Sequence, residues 1–102
     1  MLSKEKFELA TKFETMVEEW FDFKKVRKHM KRTNWIWYDT GDVPTVAEMK
    51  DACWTLFEEA LCNYSICGSP SACSSGGFEV TIDNYGVSLR FVVAGVDSCE
   101  LE

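Results

Sequence analysis

The residues best suited to bind a partner are cationic and aromatic side chains that follow one another in a short segment. They are Lys28, Lys31, Arg32, Trp35, Trp37 and Tyr38. Cations can hold a phosphate or a carboxylate, while aromatic rings can stack on a base or anchor a protein partner. Alternatively, the cations solvate a helix end and the tryptophans fill the space between helices. We predict a binding site here, with at least one of the two tryptophans pointing inward.

Charge is divided unevenly along the chain. Residues 1–38 carry a net charge of +3, residues 39–102 carry −9, and the whole chain carries −6. The acidic part is a second candidate contact surface for a basic target, although ordinary solubility explains it equally well. The net negative charge disfavours nonspecific binding of duplex DNA.

Catalysis has little support in the sequence. His29 is the only histidine that could serve a nucleophile as its base, and no phosphate-binding loop, dinucleotide fingerprint or hydrolase motif is present. Four acids at helical spacing read as a solvated face: Glu48, Asp51, Glu58 and Glu59. We therefore predict a protein that is not an enzyme and uses no cofactor.

The cysteines point to reduced thiols. The five are Cys53, Cys62, Cys67, Cys73 and Cys99. An odd number without regular spacing argues against a disulfide framework, and the spacing also differs from that of structural zinc sites. We predict no metal, a Cys53 side chain within a helix core, and a cytoplasmic protein.

Length and hydropathy complete this picture. A chain of 102 residues has room for one domain, spanning residues 1–102. No stretch approaches the roughly 20 apolar residues of a membrane span, and the charged N-terminus is unlike a secretory signal. We expect no membrane association.

The first predicted element is a long helix over residues 4–31. Its apolar seam follows a heptad pattern through Leu9, Phe13, Met16, Trp20, Phe23 and Met30. Such a helix would span about 42 Å, and no Gly or Pro predicts a kink. Because it would extend beyond the rest of a small domain, we predict that it mediates a homodimer.

A second helix begins at a capping box formed by Thr45 and Glu48. Its apolar stripe comprises Met49, Ala52, Cys53, Leu56, Phe57 and Ala60. Asn63 is a plausible end for this helix. Residues 35–38, where Trp35 and Trp37 alternate with Ile36 and Tyr38, predict a short strand or an extended linker.

Residues 63–77 predict a flexible Ser/Gly/Cys loop, and an antiparallel β-hairpin follows it. Matching the apolar faces of the two strands sets Ile82 opposite Val87. This register creates three further pairs: Val80 with Leu89, Phe78 with Phe91, and Glu79 with Arg90. The predicted fold is α+β, in the order α-(β)-α-β-β, with residues 35–38 as a possible third strand.

Three short motifs resemble small uncharacterised proteins of bacteriophages over residues 34–93. They are Trp35-x-Trp37, Val43-Pro44-Thr45 at the start of a helix, and Ser74-Ser75-Gly76-Gly77-Phe78 before a hairpin. The resemblance implies an accessory protein of the anti-defence type, although it assigns no functional residue. The cysteine-containing segment at residues 63–77 departs from this pattern.

The leading prediction is a cytoplasmic binding protein whose partner is a host or phage protein and which acts as an inhibitor of a host defence or nucleic-acid-handling protein. The first alternative is a sponge that grips a nucleotide signal through Arg32, Trp35, Trp37 and Tyr38. The second alternative is an assembly subunit that oligomerises through its long helix.

Overall fold

A computed structural model describes residues 3–92 as a run of helices followed by a three-stranded sheet. The helices are α1 (Ser3–Thr15), a π-helical turn (Met16–Trp20), α2 (Phe23–Thr33) and α3 (Val46–Cys67), and the strands are β1 (Ser71–Ser75), β2 (Phe78–Asp83) and β3 (Gly86–Phe91). The sheet is antiparallel in the order β1-β2-β3. The predicted α+β class, with a long helical N-terminal part and a C-terminal hairpin, is confirmed.

The N-terminal helical run is interrupted, which corrects the single helix predicted over residues 4–31. The π-helical turn ends where the backbone N–H of Phe21 donates to the Met16 carbonyl at 2.8 Å, and Phe21 itself is extended. The Asp22 side chain then accepts from the Lys25 N–H at 3.0 Å and caps α2. The local cause of the break is therefore a wider turn followed by a new N-cap.

The interruption also changes which side chains face the core. Phe13, Phe23 and Met30 are buried as the seam predicts, whereas Trp20 is 71% exposed. Val17 and Val26 are buried as well. Most of the seam is covered within one chain, which leaves less apolar surface for a second copy than a continuous helix would, and the homodimer stays a prediction.

Helix α3 begins as the sequence predicts and ends later. The Thr45 hydroxyl accepts from the Glu48 N–H at 3.1 Å, and the Glu48 carboxylate accepts from the Thr45 N–H at 2.9 Å. The helix continues past the predicted end at Asn63 to Gly68, whose left-handed backbone forms the C-cap.

Residues 63–77 are not one loop, because they contain the last turn of α3 and the whole of β1. The sheet's third strand is therefore β1, rather than residues 35–38. That segment makes only an isolated bridge, between Trp37 and Asp42. The small side chains of β1 give little strand signal, but its backbone pairs with β2 from Ser71 opposite Ile82 to Ser75 opposite Phe78.

The predicted hairpin register is confirmed. Strands β2 and β3 pair Ile82 with Val87, and the three other predicted pairs follow. On the outer face, Arg90 Nε lies 2.7 Å from Glu79 Oε1. The matched apolar faces of the strands dictate this register because a one-residue slip would turn every side chain to the other face.

The core lies between the helices and one face of the sheet. Helix α3 contacts β1 and β2, while α1 contacts β3. The predicted stripe of α3 is confirmed at its buried positions: Met49, Cys53, Leu56, Phe57 and Ala60. From the sheet, the buried side chains are Phe78, Val80, Ile82, Leu89 and Phe91.

Candidate functional site

The segment after α2 is shaped by local backbone hydrogen bonds. Asn34 adopts a left-handed conformation and ends α2, and the Trp35 N–H then donates to the Met30 carbonyl at 2.8 Å. The Trp37 N–H donates to the Asp42 carbonyl at 3.0 Å, and the Gly41 N–H donates back to the Trp37 carbonyl at 2.8 Å. These bonds present residues 35–38 at a fixed place beside the core.

The predicted alternation of these four side chains is observed. Trp35 and Trp37 are half-buried and contact the core, and the Trp35 ring lies edge-on to Phe91 with centroids 6.2 Å apart. Ile36 is 49% exposed and Tyr38 is fully exposed. The two tryptophans therefore have a packing role, while Ile36 and Tyr38 are available for contact with a partner.

The Trp37 indole lies against Gly76, in the turn between β1 and β2. A Cβ atom at position 76 would come within 3.0 Å of three atoms of the indole, including Nε1. Within residues 3–92, Trp37 Nε1 is also a buried side-chain nitrogen without a hydrogen-bond partner. The Trp37 N–H is therefore a hydrogen-bond donor that the fold leaves unused. Burying such a donor without a partner costs about 1–3 kcal/mol.

A cleft of about 400 Å³ opens beside these aromatic residues. It is lined by Trp35, Ile36, Trp37, Tyr38, Asp39, Ala52, Ser75 and Gly76. The last three come from α3, from the end of β1 and from the β1–β2 turn, and none of them is among the residues predicted for the site. Their small size leaves the open space. We call residues 35–38 and this cleft the aromatic corner.

Two of the three predicted cations lie apart from the aromatic corner. Lys28 and Lys31 line a groove with Lys24, Arg27 and Val46. Arg32 Nη2 lies 3.2 Å from His29 Nδ1. Of the six predicted residues, the three aromatic ones line the cleft, Lys28 and Lys31 line the groove on α2, and Arg32 lines neither; their joint action as one site stays a prediction.

The thiols differ in their surroundings. Cys53 is fully buried in the core, as predicted, and burial raises the pKa of its thiol to about 12. The Cys73 thiol donates to Glu59 Oε2 at 2.9 Å, and this hydrogen bond raises its pKa. Cys62 and Cys67 are exposed, whereas Cys99 lies outside the described residues. Burial and a neighbouring carboxylate are poor conditions for a nucleophilic thiolate.

Because the Cys53 thiol is buried, the free energy of unfolding should depend on pH in the alkaline range. The unfolded thiol ionises near pH 9.0, whereas the folded one stays neutral up to about pH 12. The contribution of Cys53 is therefore complete below pH 9.0 and lost as the pH rises towards 12. We expect this thiol to lower the free energy of unfolding by up to about 1.4 kcal/mol per pH unit in that window.

Urea unfolding of the wild type and of Cys53→Ala, in reducing buffer at several pH values from below 9.0 up towards 12, measures this effect. The two proteins share all other titrating groups, so the difference between their slopes isolates Cys53. Parallel slopes would show that Cys53 is not held neutral in the folded state.

Neither a metal cluster nor a membrane span is found within residues 3–92. No group of three or more His, Cys, Asp or Glu side chains is placed to hold a metal ion there. In the same range, no helix combines the length and the apolar character needed to cross a bilayer.

Comparison with known proteins adds no relative. No family model, curated protein or solved structure matches this chain. The resemblance to bacteriophage proteins therefore stays a prediction.

Proposed function

We propose that this protein acts without catalysis, by binding a partner protein through the aromatic corner. The observation that carries the proposal is the exposure of Ile36 and Tyr38 beside a cleft of about 400 Å³. The packed tryptophans hold this surface in place before a partner arrives. A preorganised contact surface loses little conformational entropy on binding.

A protein partner fits this surface better than a nucleotide does. Tyr38 lines the cleft, but its ring is fully exposed, so a small molecule inside the cleft would cover only part of that ring, whereas a protein surface could cover Tyr38, Ile36 and the cleft together. Exposed aromatic side chains at the edge of a pocket are typical binding hot spots. Moreover, Lys28 and Lys31 line a separate groove from the cleft, so they are not placed beside a base stacked there.

The effect of such binding would be stoichiometric inhibition. Because the proposed action needs no chemistry, one copy of the protein blocks one copy of its partner. The resemblance to anti-defence proteins of bacteriophages suggests a host defence or nucleic-acid-handling protein as that partner. On this proposal the protein works in the cytoplasm of the host cell.

Photo-crosslinking from position 38 tests the proposal. A benzophenone amino acid replaces Tyr38 in one variant and Tyr85 in a matched control, since both tyrosines are almost fully exposed and Tyr85 lies in the hairpin turn. We expect a specific protein adduct from position 38 in host cells and none of that mass from position 85. Adducts of equal yield from both positions would count against the aromatic corner.

The affinity of variants for the isolated partner then measures how much Ile36 and Tyr38 contribute to binding. The double substitution Ile36→Ser with Tyr38→Ser should weaken binding by about 100-fold, as the loss of two hot-spot side chains does. Tyr85→Ser should change affinity by less than about twofold, because residues outside a contact contribute little. All three side chains are exposed, so melting temperatures should stay close to that of the wild type. Unchanged affinity in the double variant would refute the proposal.

A further inference from the structure

Helix α2 carries an unusual concentration of positive charge. From Phe23 to Tyr38 the sequence contains six Lys or Arg residues and no Asp or Glu, within a chain of net charge −6. Four of these cations are separated by steps of three, one and three residues and therefore share one helix face. They are Lys24, Arg27, Lys28 and Lys31, which we call the basic face.

The basic face borders a groove rather than a flat surface. Its four side chains and Val46, in the first turn of α3, line a depression of about 360 Å³. Arg27 is fixed within this groove, because its Nε donates to the Pro44 carbonyl at 2.9 Å. The other side chains of the face are lysines, whose flexible stems allow their ammonium groups to converge on one ligand.

These cations are not neutralised within the described part of the chain. Both ion pairs found there use other cations, joining Lys50 to Glu18 and Arg90 to Glu79. Keeping four like charges on one face costs free energy through mutual repulsion, and an anion would remove that cost. The electrostatic field of this face therefore favours an anionic ligand, although the net charge of the chain is negative.

The dimensions of the face indicate a short anion. Lys24 and Lys31 are seven residues apart, which corresponds to about 10 Å along the helix. At about 3.4 Å per phosphate along one strand, that length covers only about three phosphates. The net charge of −6 on the whole chain opposes a longer polyanion that reaches past this face.

We propose that the basic face is a binding site for a compact oligophosphate, such as inorganic triphosphate or the phosphate chain of a nucleotide. Phosphate oxygens accept several charge-assisted hydrogen bonds from Lys and Arg at once. This site is independent of the aromatic corner, because Ile36 and Tyr38 contribute nothing to it. Either proposal can therefore fail while the other stands.

Titration with inorganic triphosphate, followed by amide NMR shifts and by calorimetry, tests the site. We expect saturable shifts confined to α2 and the first turn of α3. The double substitution Lys24→Gln with Lys28→Gln should weaken binding by about tenfold or more, with a shallower salt dependence, because two phosphate contacts are lost. The control Lys4→Gln with Lys12→Gln removes the same charge from exposed lysines of α1 and should leave the affinity unchanged.

Three further results decide the ligand class. Equal affinity for triphosphate and a nucleoside triphosphate supports recognition of the phosphate chain alone, and tighter binding of the nucleotide supports the same site with an added base contact. Much tighter binding of a single-stranded oligonucleotide would overturn the assignment to a compact anion. Absent or unsaturable binding, or equal losses in the two lysine pairs, would overturn the site itself.

Discussion

Replacing Gly77 with alanine is expected to lower the free energy of unfolding by about 2–5 kcal/mol, from backbone strain and overpacking together. Gly77 has a φ of +93°, which side-chain-bearing residues rarely adopt. A Cβ atom there would lie 2.5 Å from Cε1 of Phe91. Phe91 cannot move away easily, because it is fully buried and its ring centroid lies 5.1 Å from that of Phe78.

A matched substitution separates the two causes of this loss. Gly41 also has a positive φ, +68°, but a Cβ atom there would meet nothing within 4 Å. We expect Gly41→Ala to cost about 1 kcal/mol, the lower end of the range for backbone strain alone. Urea denaturation of both variants measures the difference. Similar costs at the two positions would show that Phe91 does not confine residue 77.

The hairpin illustrates what could be predicted from sequence. Residues 78–83 and 86–91 both alternate between apolar and polar side chains, and only one register brings the two apolar faces together. The local alternation, together with the condition that both apolar faces are buried on one side of the sheet, was therefore sufficient to predict the hairpin register. The capping box of α3 was equally predictable, because Thr45 and Glu48 are three residues apart and hydrogen-bond within one helical turn.

The break in the first helix was harder to predict because two signals competed. A heptad seam that includes Trp20 favours one continuous helix, and no Gly or Pro opposes it. Asp22 was available as an N-cap, but an aspartate within a charged helix is also an ordinary surface residue. At the end of the π-helical turn Trp20 faces out, and Phe23, which opens α2, still faces in. Packing, rather than propensity, decides this outcome.

Strand β1 was missed for a different reason. Its sequence, Ser-Ala-Cys-Ser-Ser, lacks the β-branched and aromatic residues that mark strands. It forms a strand because β2 offers a free edge and α3 covers the face, and neither neighbour is visible in a local window. Tertiary context thus converts part of a predicted loop into an edge strand.

The candidate site was predictable only in part. Alternation of residues 35–38 indicated which side chains would face outward. The floor of the cleft could not be predicted, because Ala52 and Gly76 come from distant elements and have no chemistry of their own. Likewise, the separation of Lys28 from the aromatic residues follows from the helix face on which it lies. The closeness of these residues in sequence suggested one site, but in the structure the aromatic corner and the basic face are separate surfaces.

The contact between the first helix and α3 should depend strongly on Phe13. Its fully buried ring stacks on Phe57, with centroids 4.6 Å apart and planes 14° apart. It also meets Trp54 edge-on at 4.9 Å. Truncating Phe13 to alanine removes both contacts and leaves a cavity between two helices. We expect a loss of about 3–5 kcal/mol, a large share of the 5–15 kcal/mol typical of a small domain.

Phe7 provides the matched control for that substitution. It is the same residue type in the same helix and is 72% exposed. Phe7→Ala should change stability by less than about 0.5 kcal/mol, as surface substitutions do. At about 4–8 °C per kcal/mol, the two variants should differ in melting temperature by more than about 10 °C. Phe13→Leu, which keeps most of the buried volume, should recover much of the loss. If Phe13→Ala melted within a few degrees of Phe7→Ala, α1 would not be held against α3 by this ring, and the helical layer of the fold would need a different explanation.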